Sequence, residues 1–133
     1  MMMYNAKQQD QYLKVKVETA SPGELTLLLY QEMVKSLLKA KHLFAQQEFE
    51  EMNRFIYKTR DIINELTITL NMEHAIAREL YDLYMFYQSH LTDFMIQRNE
   101  QLLDDVLEFS KEMVETWKEA LLIVRKSGQH VTV

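Results

Sequence analysis

At 133 residues the chain has room for one domain with one sizeable core, since a globule of this size buries about two-thirds of the surface its unfolded chain exposes. The 47% hydrophobic content with only two glycines and one proline leaves little turn chemistry for a sheet protein, and the absence of cysteine excludes disulfides, thiolate metal sites and a cysteine nucleophile. A formal net charge of -5 with interleaved acids and bases argues against a nucleic-acid partner; the N-terminus has no apolar stretch long enough for a signal peptide and nothing later approaches the about 18 uninterrupted apolar residues of a membrane span, which makes the expectation soluble and cytoplasmic.

The chain opens with a segment, 1–20, that carries no helix start signal. Leu13, Val15 and Val17 alternate with Lys14, Lys16 and Glu18, the period of an extended arm with one apolar side. Ser21, Pro22 and Glu24 then form a helix start of the S-x-x-E type with proline at the first helical position. From there a first helix is predicted over 21–45. Its Gln31, Glu32, Lys35, Lys39 and His42 share one arc, while Leu27, Leu29, Tyr30, Met33, Val34, Leu37 and Leu38 spread over about half the wheel. That is wider than a simple bundle seam requires.

The break at "QQEFEE" leads to a second helix over 50–70, with Met52, Phe55, Ile56, Ile62, Ile63, Leu66 and Leu70 on one side. After a polar turn at 71–73 a third helix over 74–97 carries Ile76, Leu80, Leu83, Tyr84, Tyr87, Leu91, Phe94 and Met95, with Tyr81 and Phe86 beyond its edge. A fourth over 100–125 repeats Leu103, Ser110, Trp117 and Val124 at heptad spacing. Its early acids Glu100, Asp104 and Asp105 and late Arg125 and Lys126 suit the helix dipole. Short links between long helices favour antiparallel neighbours. The fold expectation is all-α: an antiparallel four-helix bundle over 21–126, with an extended N-terminal arm at 1–20 and a disordered tail at 127–133.

Catalytic patterns are missing. No histidine is preceded at three residues by glutamate, as a di-iron bundle needs: Lys39, Asn71, Tyr87 and Ser127 hold those places before His42, His74, His90 and His130. No HExxH, Walker or GxSxG stretch occurs, and the adjacent Asp104 and Asp105 diverge by about 100° on a helix. The reading is therefore a non-enzyme that needs no cofactor and no metal. What remains is apolar surface beyond one core's needs, which marks a partner site in a soluble protein. We assign the groove to Leu27, Tyr30 and Val34 of the first helix and Ile63, Leu66 and Leu70 of the second, with Tyr12, Val15 and Val17 of the arm as a displaceable cap.

The stretch "YLKVKVETASPGELTLLLY" resembles the start of the flagellar secretion chaperones known as FliS. Tyr12, Val15, Val17, Glu18, Ala20, Ser21, Pro22 and Leu25 fit that family's pattern of an arm tyrosine, a V-x-V-E run, a Ser-Pro start and a leucine-rich helix. The similarity continues through "IINELTITLNME" and "LLDDVLEFSKEMVETWKEAL", where Trp117 matches the family's late tryptophan, and covers roughly residues 12 to 121. The resemblance implies a cytoplasmic antiparallel bundle that binds the C-terminal segment of flagellin, prevents its premature polymerisation and delivers it to the flagellar type III export apparatus, with Tyr12 covering part of the client site. The third helix departs from the pattern at Met85, Ser89, His90, Phe94 and Met95, each change making it less charged or more apolar. The rival reading is an interaction module with another partner, or one that homodimerises through Tyr81, Met85 and Phe86.

Overall fold

The computed structural model of the chain describes residues 6–128, and they form five helices: α1 (Ala6–Thr19), α2 (Pro22–Ala45), α3 (Phe49–Ile68), α4 (Ala75–Gln97) and α5 (Glu100–Ser127). No strand occurs among the described residues. The alternating arm is thus corrected: the backbone over 6–19 is helical, not extended. Three alternating pairs are a short signal. Helix formers of the types Ala, Lys, Gln, Glu and Leu make up most of the segment and favour a helix, which satisfies its own backbone N–H and C=O groups, whereas an extended arm needs a neighbouring strand to do so. The helix stops at Thr19 because Pro22 cannot continue it. Side-chain placement of Val17 and the residues at 1–5 and 129–133 lie outside the described residues. At the other end α5 runs through Ser127 and closes on Gly128, whose positive φ of 71° suits a left-handed cap, so helix and its cap replace the first two residues of the expected tail, Ser127 as helix and Gly128 as the turn that ends it.

The start of α2 is built as a full capping box. The Glu24 amide donates to the Ser21 hydroxyl at 3.3 Å and the Ser21 amide donates to the Glu24 carboxylate at 3.3 Å. The α4–α5 link is tight because Arg98 takes a left-handed φ of 55°, its guanidinium lying 3.7 Å from the centroid of the Phe49 ring, and Asn99 caps α5.

Helix α2 packs on α3 and α5, and α4 packs on the same two. Helices α2 and α5 run antiparallel, as their cross-links show. Trp117 Nε1 near the end of α5 donates to the Gly23 carbonyl at the start of α2 (2.8 Å), while Lys41 at the end of α2 reaches Asp104 at the start of α5 (2.6 Å). Gln88 of α4 donates to the Arg60 carbonyl and the Asn64 side chain of α3 at 3.0 and 3.1 Å. Between the four helices lie Tyr30, Met33 and Leu37, Ile56, Ile63 and Leu66, Tyr84, Leu91 and Phe94, and Leu103, Val106 and Trp117, all buried. Each such side chain contributes about 1.5–3 kcal/mol by leaving water.

Candidate partner-binding cleft

An elongated cleft of about 1120 Å³ opens between α1 and the bundle. Four of the five helices, α1, α2, α3 and α5, turn one face into it. Leu28, Gln31, Glu32, Lys35 and Lys39 of α2 recur at helical spacing, as do Lys111, Val114, Glu115 and Lys118 of α5; Phe55 and Lys58 come from α3, and Gln9, Tyr12, Leu13 and Lys16 from α1. Leu13 is the one described α1 side chain that is not exposed, and Tyr12 is 65% exposed with Lys16 Nζ 5.1 Å from its ring centroid. The apolar floor comes from Leu28, Val34, Phe55 and Val114.

The lining is basic. Six lysines stand against Asp10, Glu32 and Glu115 in a chain that is acidic overall. Glu32 is largely shielded and holds two of the lysines, Lys35 at 3.1 Å and Lys58 at 3.6 Å, which also ties α2 to α3. Glu115 lies 3.7 Å from Lys118 one turn along α5.

Behind the floor is a polar knot. The hydroxyls of Tyr30 and Tyr84 hydrogen-bond to each other inside the core, the Tyr30 ring meets Trp117 edge-on at 6.2 Å, and Tyr84 packs edge-on to Phe109. Burial pushes the phenol of Tyr30 far above the ordinary value, reinforced by Tyr84, and burial pushes Tyr84 up as well. Both stay neutral across the physiological range, so the knot acts as a hydrogen-bonded strut that fixes α2 against α4 and α5. Tyr87 is also raised, first by burial and then by Glu112, Asp105 and Glu108.

The structure distributes the predicted groove residues among three places. Val34 lines the cleft. Leu27 and Leu70 are half-buried against the core. Tyr30, Ile63 and Leu66 are at 0%, 0% and 1% exposure, so they are core residues that no partner reaches while the bundle is closed. A helical wheel gives direction about one axis and does not say which neighbour stands there. Of the predicted cap, Tyr12 lines the cleft, Val15 is exposed on α1, and the side chain of Val17 is outside the described residues. Leu28, Phe55 and Val114 line the cleft without having been singled out for it. The signal for Leu28 was its place one turn before Gln31 and Glu32, on the polar arc of α2 rather than on its broad apolar side.

Three of the five departures in the third predicted helix, now α4, turn inward. Phe94 is fully buried beside Phe44 at 5.4 Å, and Met85 and Met95 pack on the core. His90 lies against the Phe86 and Tyr87 rings with Nε2 3.5 Å from Asp105, and Ser89 is exposed. Of the dimerisation candidates, Tyr81 and Phe86 are exposed and Met85 is half-buried. No three His, Asp or Glu side chains gather into a metal-holding group among the described residues, and no described helix is long and apolar enough to cross a membrane.

Fold and cleft together define a helical-bundle protein with a partly apolar, lysine-lined cleft beside its first helix. The family model for flagellar protein FliS matches residues 3–123, and the chain belongs to that family, which is one of chaperones rather than enzymes. It is similar to the flagellar secretion chaperone FliS of Bacillus subtilis (strain 168), 30% identical over 115 residues that cover 86% of each chain. It is also similar to the proteins of the same name from Vibrio cholerae, 30% identical over 112 residues (80% of this chain and 82% of that one), and Campylobacter jejuni, 28% identical over 120 residues (89% and 90%).

Proposed function

We propose that the chain is a cytoplasmic export chaperone that binds the C-terminal segment of flagellin along the cleft, keeps it from polymerising and delivers it to a component of the flagellar export apparatus. The observation that carries this reading is the cleft itself: a floor of Leu28, Val34, Phe55 and Val114 on a rigid bundle, covered by a helix whose described side chains are almost all exposed. A flexible client gains apolar contact there and loses chain entropy in ordering, a balance that keeps affinity compatible with release. In this reading the segment before Ser21 is a cover and the bundle after it is the receptor.

Calorimetric titration with the C-terminal segment of flagellin from the same organism tests it, using the full chain beside one lacking residues 1–19, which retains the Ser21 cap. One-to-one binding with a negative heat-capacity change, tighter without α1, is the expected result. Absence of binding by both at about tens of micromolar overturns it. Exposed Tyr81 and Phe86 favour, as a second reading, self-association through α4; a concentration-dependent dimer in sedimentation that ignores flagellin would establish that instead.

A further inference from the structure

The geometry points to a cleft occupant of specific chemistry: we propose that the segment held there is an amphipathic helix whose apolar stripe is bordered on both sides by acidic residues. This rests on the reading of the cleft as the client site and adds the charge pattern of the client. Helix α2 packs between α3 and α5, so Lys58 stands on one side of the floor and Lys111 and Lys118 on the other, with Lys35 and Lys39 along α2. Lys111 and Lys118 are seven residues apart, two turns or about 10 Å, which matches acids repeated every two turns on a docked helix.

The lysines are only partly compensated by the bundle. Glu32 and Glu115 serve Lys35, Lys58 and Lys118, while Lys39 and Lys111 are exposed and in no ion pair among the described residues. Helix α1 supplies a reduced version of the proposed chemistry, with Asp10 beside Tyr12 and Leu13, but it also brings Lys16 into the same space. A segment with acids on both flanks therefore gains attraction that α1 lacks, which is the differential a displacing ligand requires. The apolar floor excludes a simple polyanion as the intended occupant, because phosphate or nucleic acid gains nothing from Leu28, Val34, Phe55 and Val114.

The test uses the full chain and three labelled synthetic helical peptides that share one leucine stripe and differ only in flanks of Glu, Gln or Lys. Fluorescence anisotropy follows binding from about 20 to 300 mM NaCl. The Glu-flanked peptide is expected to bind about tenfold more tightly than the Gln-flanked one at the lowest salt, with the gap falling below about threefold at the highest. The double variant Lys39→Glu, Lys111→Glu, at exposed positions without ion pairs, is expected to keep the thermal transition of the parent and to reverse the order of the Glu- and Lys-flanked peptides. Equal affinities at every salt, binding by none of the peptides, or an unchanged order in the double variant overturns the inference. The flagellin segment is titrated alongside. Flagellin binding without charge discrimination among the peptides rejects the acidic flanks and leaves the chaperone reading intact; charge discrimination without flagellin binding sustains the cleft chemistry and rejects flagellin as the client.

Discussion

Tyr12 and Tyr30 sit in consecutive helices and end in opposite surroundings. Tyr12, on α1, is 65% exposed at the edge of the cleft; Tyr30, on α2, is wholly buried and hydrogen-bonded to Tyr84. Local propensity makes both segments helical, but a 14-residue helix is marginal by itself in water, whereas α2 is held by its capping box, the Trp117 to Gly23 hydrogen bond and the core. The lesson is that secondary structure and tertiary attachment are separate questions. The cleft has α1 on one side and α2, α3 and α5 on the other, so in the proposed cap role it opens by lifting α1 with the bundle's packing intact.

The contrast is most sharply tested by removing large side chains. Trp117→Ala and Phe94→Ala are each expected to destabilise by about 3–5 kcal/mol in urea unfolding, since both empty a closely packed site and the first also frees the Gly23 carbonyl. Comparable losses from alanine substitutions in α1 would erase the distinction between the helices. Next in size is Tyr30→Phe, which strands the buried Tyr84 hydroxyl and is expected to cost about 1–3 kcal/mol. The double variant Tyr30→Phe, Tyr84→Phe strands nothing, so it should recover much of that loss, and strict additivity in the double-mutant cycle would show that the two hydroxyls do not act as a pair.

The same pair gives a pH signature. Both phenols are pushed above the ordinary value of 10.0 by burial, so the folded state holds their protons more tightly than the unfolded chain does. Their contribution is complete below pH 10 and is lost as pH rises beyond it, by up to about 1.4 kcal/mol per pH unit for each tyrosine. Urea unfolding from about pH 9 to 11.5 should show this decline, and the double phenylalanine variant should show a shallower one.

What could be read from the residues alone follows the same divide between local and tertiary. The start of α2 was legible because Ser21 and Glu24 satisfy one another within four residues and Pro22 suits the first helical position. The inward stripe of α5 was legible because its heptad spacing brings Leu103, Ser110 and Trp117 to one side, all now buried. The conformation of α1 was not, because the β-type alternation of three residue pairs competed with helix-forming composition over the whole segment, and composition prevailed. Nor could Tyr30, Ile63 and Leu66 be separated from Val34, because a broad apolar arc faces several neighbours and only their positions decide which part stays open. Of the bundle's cleft lysines only Lys35 and Lys39 stood out, on the polar arc of the first predicted helix; with Lys58, Lys111 and Lys118 they become one feature only when α2, α3 and α5 bring them together.

The smallest expected effect is the one that isolates α1. Tyr12→Ala removes a mostly exposed ring and should change global stability by no more than about 0.5 kcal/mol. If α1 is held by little beyond Leu13, its amides should exchange through local opening, while those of Met33 to Leu37 in α2 wait for global unfolding. Tyr12→Ala should then accelerate exchange across α1 and leave α2 unchanged, read by mass spectrometry on peptides from each helix. Tyr12 lines the cleft, and under the proposed cap role the same variant should bind a cleft ligand somewhat more tightly, by the factor through which α1 opening increases. Exchange in α1 as slow as in α2, in the parent protein, would mean the first helix is part of the bundle, and access to the cleft would then require a rearrangement of the core instead of the release of its cover.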